Sequence, residues 1–190
     1  MPPRPTLPLL APASRAELRE WLAQNHATSP GVRLAIGKKG GTATSLGYDD
    51  AVEEGVAFGW IDSTAGKVDE QRYFVTFTPR KPGSAWATSN KERVARLAAA
   101  GLMAPAGAAA VEAARADGSW NLLDDVDALI VPPDLAEALG VAGSAAEWDA
   151  LSASQRRQAL SWIASARRPE TRARRIAETA RAAGEGHGPL

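Results

Sequence analysis

Tyr73-Phe74-Val75-Thr76-Phe77 is the clearest strand in the chain. Aromatic and β-branched residues in unbroken succession suit a pleated, half-buried surface. Pro79 and Pro82-Gly83 stop it sharply. Two other stretches can pair with it. Val32, Leu34 and Ile36 alternate with Arg33 and Ala35, the period of a half-buried strand. Trp60-Ile61-Asp62 follows a helix-ending Gly59 and forms a hairpin with residues 73–77 across a long loop, in which Thr64-Ala65-Gly66-Lys67 reads as the turn. Everything beyond Ser84 reads as helix. The class expected is therefore α+β: a small antiparallel or mixed sheet with packed helices near residues 31–78, followed by an all-helical C-terminal half.

Helix starts punctuate the rest. Ser14-Arg15-Ala16-Glu17, Ser89-Asn90-Lys91-Glu92, Ser144-Ala145-Ala146-Glu147 and Ser152-Ala153-Ser154-Gln155 are capping boxes. Pro105 stands where a first helical residue belongs, Pro132-Pro133-Asp134 starts a short helix, and Pro169 restarts a final one. Asp49 to Phe58 reads as a helix with acids crowded at its start, and Trp120 to Val131 as an acidic loop. This divides the chain into an α/β core with its hairpin over 14–104 and a helical region over 105–183. The two are expected to pack as a single compact unit. The proline-rich residues 1–13 and residues 184–190 are read as flexible termini.

Charge excludes more than it assigns. Lys+Arg and Asp+Glu both number 22. The chain as a whole therefore has no drive towards polyanions. Within it, residues 117–149 hold eight acids and no base, whereas residues 150–190 hold eight arginines and three glutamates. These two stretches are expected to pack together. With no Cys and two His, neither a thiolate nor a histidine metal site is expected, and no cofactor is. No apolar run is long enough to span a membrane.

Candidate site residues cluster at the hairpin. Asp62 beside the Trp60 indole would lose hydration, which suits an acid or base. It also fits an ordinary turn aspartate. Arg80 and Lys81 end the best strand ahead of the helix opening near Ser89, a plausible anion clamp. Solvated salt bridges are the plainer reading. Lys39, in Lys38-Lys39-Gly40-Gly41, could add charge, but the spacing of a nucleotide phosphate loop is missing. Trp60 and Trp86 are placed to wall a pocket and Asn90 to floor it. Trp21, Trp148 and Trp162 read as core.

Gly59-Trp60-Ile61-Asp62, Thr78-Pro79-Arg80-Lys81, Ser84-x-Trp86 with Asn90, Pro105-Ala106-Gly107 and Pro169-Glu170-Thr171-Arg172-Ala173-Arg174-Arg175-Ile176 stand in this order. In these words, from about Leu18 to Ala182, the chain resembles the bacteriocin-protection, YdeI/OmpD-associated family. The resemblance implies a bacterial stress or antimicrobial-peptide resistance factor. The family's name adds association with an outer-membrane porin, and no catalytic residues carry over. A porin partner calls for export. The short, proline-broken Leu7-to-Ala11 run makes no signal-peptide core, so a cytoplasmic location is expected. The leading expectation is a non-enzymatic binding protein with a Trp/Asp/Arg-lined pocket for a small anionic ligand or a protein partner. One alternative is a small enzyme acting on an anionic metabolite, with Asp62 as acid or base and Arg80 as clamp. Another is a nucleic-acid binder using the arginine helix. Nucleic acid is not the expected partner, because that helix lacks aromatics and has an acidic partner within the chain.

Overall fold

The computed structural model describes residues 7–40 and 44–189. Gly41, part of the basic loop singled out above, lies outside the described residues. The chain forms two compact units, Met1–Ser84 with Ser89–Ser119 and Ala85–Thr88 with Trp120–Leu190.

The first unit is built on a four-stranded mixed sheet of β1 (Leu9–Leu10), β2 (Val32–Gly37), β3 (Trp60–Lys67) and β4 (Arg72–Pro79), in the order β1-β2-β4-β3. β4 is central, antiparallel to both β2 and β3, while β1 runs parallel to β2. Leu34 opposes Val75 and Val32 opposes Phe77, so one face of the sheet carries the buried side chains. Helix α2 (Tyr48–Ala57) lies on that face, with Gly55 against the Phe77 ring. Helix α1 (Arg15–Asn25) packs on α2. The α+β class read from the sequence is the one observed.

Two local expectations give way. Leu9–Leu10 form an edge strand within what reads as a flexible lead, because the Arg33 amide donates to the Pro8 carbonyl at 2.9 Å and the Arg33 side chain to the Leu7 carbonyl. Residues 64–67 are strand, not turn. A bulge between Asp62 and Ala65 takes up the offset, and Gly66 is there because the Phe74 ring leaves no room for a side chain. The turn itself is set by Asp69, whose carboxylate accepts from the Gln71 and Arg72 amides.

Among the described residues of this unit Glu54 is the charged side chain that is fully buried, 1% exposed. Arg15 Nε donates to one of its oxygens at 2.7 Å and Arg19 Nη1 to the other at 2.8 Å. Two further helices complete the unit, α3 (Thr88–Ala99) and α4 (Pro105–Ala116). Ser89 lies inside the first turn of α3 rather than capping it. Helix α4 comes close to the end of α2: a Cβ at Gly107 would stand 2.1 Å from the Ala57 carbonyl oxygen.

The second unit contains α5 (Asp124–Asp127), α6 (Pro133–Ala142), α7 (Ala145–Ala150), α8 (Ala153–Ala164) and α9 (Pro169–Gly184). Leu135, Leu139, Trp148, Leu160, Ile163, Ile176 and Ala180 form its core. The Ser152–Gln155 capping box is present as read. The Ser144 one is not, because its hydroxyl donates across to the Ala180 carbonyl at 2.9 Å, tying α7 to α9. Arg172 grips Asp134 with two hydrogen bonds, 2.7 and 2.9 Å. The acidic and basic stretches thus meet within this unit. Of the tryptophans read as core, Trp148 is buried, while Trp21 and Trp162 are half-buried.

Phe77→Ala is expected to cost about 3–5 kcal/mol in denaturant unfolding. Gly107→Ala should cost about 1–3 kcal/mol, because α4 must lift off Ala57. If both variants unfold like the parent, the described core is wrong. Deleting residues 170–190 removes Ile176, Ala180 and Ala183 from the second core and is expected to leave residues 120–169 open to limited proteolysis. Full protease resistance of that truncated chain would contradict the packing.

Candidate functional site

Asp62 shares a face with Trp60 and Phe77, since it directly opposes Phe77 across the β3–β4 ladder. It lies at the margin of the covered face, where α2 begins. There Tyr48, the first residue of α2, donates its hydroxyl to Asp62 Oδ2 at 2.8 Å. Burial and that hydrogen bond both favour the neutral phenol, and they push Tyr48 up to about 12. The phenol therefore stays protonated at neutral pH and acts as a donor.

Arg80 arrives from the other strand. Trp60 opposes Pro79, and the Arg80 amide donates to the Gly59 carbonyl at 2.9 Å, which fixes the first residue past β4 beside the start of β3. Burial lowers the Arg80 guanidinium to about 10, only partly offset by the field of Asp62. A cation and a carboxylate thus sit together at this end of the hairpin, as the antiparallel pairing requires.

A third group comes from α3. Arg93 Nη2 donates to Asp49 Oδ1 at 2.8 Å, and Nη1 reaches Asn90 Oδ1 at 3.4 Å. The Arg93 charge also acts on Tyr48. One turn on, Arg96 pairs with Glu53 at 2.9 Å, so α3 docks along α2 through two successive ion pairs. Asp62, Arg80 and Asn90, all singled out in the sequence, therefore belong to one polar cluster. Tyr48, Asp49 and Arg93 complete it. Tyr48 was hidden as the first residue of a helix whose start was read only for its acids. Arg93 was hidden on the polar side of an ordinary amphipathic helix.

The other candidates lie elsewhere. Trp60 is a core side chain, 1% exposed. Its ring makes a T-shaped contact with Trp21, centroids 5.9 Å apart, and its Nε1–H donates to the His26 carbonyl. Trp86 is 0% exposed and packs on Trp120 in the second unit. Neither indole is open to a ligand, which corrects the expectation of two indoles walling a pocket. Large indoles are the most strongly driven from water, and both are spent on cores. Lys81 is exposed in the turn closed by the Ser84 amide on its carbonyl. Lys39 is exposed two residues beyond Gly37, which pairs with Arg72 at the opposite end of the ladder, about 26 Å from Arg80 along β4.

Three of the four arginines of α9 are engaged within their own unit. Arg172 holds Asp134, Arg181 holds Glu185, and Arg175 donates to the Trp162 carbonyl and the Ser165 hydroxyl. Among the described residues no group of three or more His, Cys, Asp or Glu could hold a metal ion. Among them, too, no helix is long and apolar enough to cross a membrane.

A family model described as a domain of unknown function (DUF8412) matches residues 10–110. A second, described as bacteriocin-protection, YdeI or OmpD-associated, matches residues 128–186. The latter bears out the resemblance read from the sequence, over a shorter stretch than Leu18 to Ala182. No curated protein and no solved structure matches the chain.

The Tyr48 phenol is expected to titrate near pH 12 in the folded chain rather than near 10, and Asp62→Asn should lower that midpoint. Because its folded value lies above its unfolded one, its contribution to stability is full below about pH 10 and is lost as pH rises through about 12. Ultraviolet titration of the parent against Tyr48→Phe checks this. A phenol that titrates near 10 would remove Tyr48 from the cluster.

Proposed function

We propose that this chain, which belongs to the DUF8412 family by the match to residues 10–110, is a non-enzymatic binding protein. Its first unit takes a small anionic ligand at Arg80, with Tyr48, Asp62, Asn90 and Arg93 around it. The observation that carries this reading is the meeting of unlike polar groups at one end of the hairpin: the Arg80 amide on the Gly59 carbonyl fixes that residue there, and Tyr48 donates to Asp62 Oδ2 at 2.8 Å beside it.

Binding is favoured over catalysis by the protonation states. Tyr48 near 12 is no base at neutral pH. Asp62 already accepts the Tyr48 hydrogen, which occupies one of its oxygens. The pair supplies fixed donors and a fixed acceptor, the ingredients of orientation. The resistance role is proposed from the match at 128–186 and would belong with that stretch.

Titration calorimetry with inorganic phosphate, phosphate monoesters and mono-, di- and tricarboxylates tests the site. At least one probe is expected to bind. Arg80→Met should weaken it more than about tenfold, as loss of a charge-assisted contact does, while the melting temperature stays level or rises. Arg80→Met that destabilises the unit and leaves binding intact would make the arginine structural and sink the proposal.

A further inference from the structure

The core of the second unit leaves a cavity of about 220 Å³ beside it. Its floor is made by Val126, Leu160 and Ile163, all buried. Pro132 and Pro133 form a stiff wall. Leu122 and Ile130 also line it and stand at its mouth, 45% and 54% exposed. A space of this size forgoes contacts that a filled core would make. Ala164 lines it as well, where a longer apolar side chain would close much of the gap.

A strained turn holds the mouth. Among the described residues Leu129 is the one non-glycine residue with a positive φ, 57°. It follows α5 at the position where helices commonly end on glycine. Its amide donates to the Val126 carbonyl at 3.1 Å, and the Ile130 amide to the Asp125 carbonyl at 2.8 Å. Glycine would relieve the backbone there, but the Leu129 side chain packs against the core. The turn thus keeps Ile130 in the open and ties Asp125 to it. Strain of this kind gathers at ligand sites.

Size and charge define what fits. An apolar cavity of roughly 150 Å³ takes benzene, and drug-sized ligands need about 300 Å³ or more. One aromatic ring with a short side chain lies between these limits. Two charged residues line the space, Asp125 and Arg172. Arg172 gives Nε and Nη2 to Asp134. The Asp125 carboxylate is exposed and takes no hydrogen bond or ion pair among the described residues. We propose that this cavity binds a small aromatic amine, its ring on Val126, Leu160 and Ile163 and its ammonium at the mouth beside Asp125. The ammonium keeps water on its outer side, so the carboxylate need not be buried. The site lies wholly in the second unit and does not depend on the anion site of the first.

Methyl NMR spectra of the full chain, titrated with phenethylamine, phenethyl alcohol and phenylacetate up to millimolar concentration, read location and preference together. Phenethylamine is expected to move the methyl signals of Val126, Leu160 and Ile163. It should bind about threefold or more tighter than the alcohol, the size of one exposed charge pair, and phenylacetate more weakly than either. Asp125→Asn should bring the amine to the level of the alcohol and leave the alcohol unchanged. Ala164→Leu should abolish binding of both while the melting temperature holds or rises. The methyl shifts of the parent decide the location whether or not that variant folds. No shift with any probe overturns the proposal, and so do shifts confined to methyls outside the cavity. Phenylacetate binding as tightly as the amine, or an amine preference that survives Asp125→Asn, overturns the assignment to amines.

Discussion

A carboxylate buried between two guanidinium groups fixes the geometry of the first unit. Removing Glu54 from water costs several kcal/mol on general grounds, roughly the amount its partners must return. Arg15 and Arg19 return it with one hydrogen bond to each oxygen. Arg15 continues to Asp50 and Glu53, and Arg96 reaches Glu53 from α3. Arg19 uses its remaining arm on the Leu102 carbonyl and lies over the Phe58 ring. Helices α1, α2 and α3 and the segment leading to α4 are thereby located by one network. A rotation of α2 by a single residue would strand Glu54 and carry Tyr48 away from Asp62. The clearest contribution of this network is to arrangement.

The same side-chain type is used differently at Arg80. Arg15 gains enough from Glu54, Asp50 and Glu53 that its pKa ends above the ordinary value despite burial. Arg80 has the field of Asp62 against a larger burial and ends below it. Carboxylates together outweigh burial at Arg15, and burial outweighs the field of Asp62 at Arg80.

Much of the sheet was legible because period-2 patterning is local. Residues 32–36 and 73–77 announce themselves, and residues 60–62 pair with the latter strand as read. The misreadings share one cause, in that a tertiary neighbour supplied what the local pattern denied. Gly66 reads as a turn until the Phe74 ring is seen on it. Ser144 reads as a cap until its hydroxyl is seen on Ala180. Leu9–Leu10 has no strand signal of its own and borrows one from Arg33. The site was half legible for a related reason. Asp62 and Arg80 are brought together by the hairpin, which the sequence encodes, whereas Tyr48 and Arg93 come from helices whose docking is set by the Glu54 and Glu53 ion pairs, which it does not. Trp60 and Trp86 were misjudged because an indole next to a polar residue suits a pocket wall and a core equally well, and only burial decides.

The division of the chain bears on what a functional label can mean here. The match at 10–110 covers the sheet and the Asp62–Arg80 cluster; the match at 128–186 falls wholly within the second unit. The words bacteriocin protection attach to the second stretch, and they carry no information about a ligand held by the first. Conversely, the polar cluster explains nothing about α9, whose arginines Arg172, Arg175 and Arg181 are committed within their own unit. A functional label drawn from either match therefore reaches only its own unit.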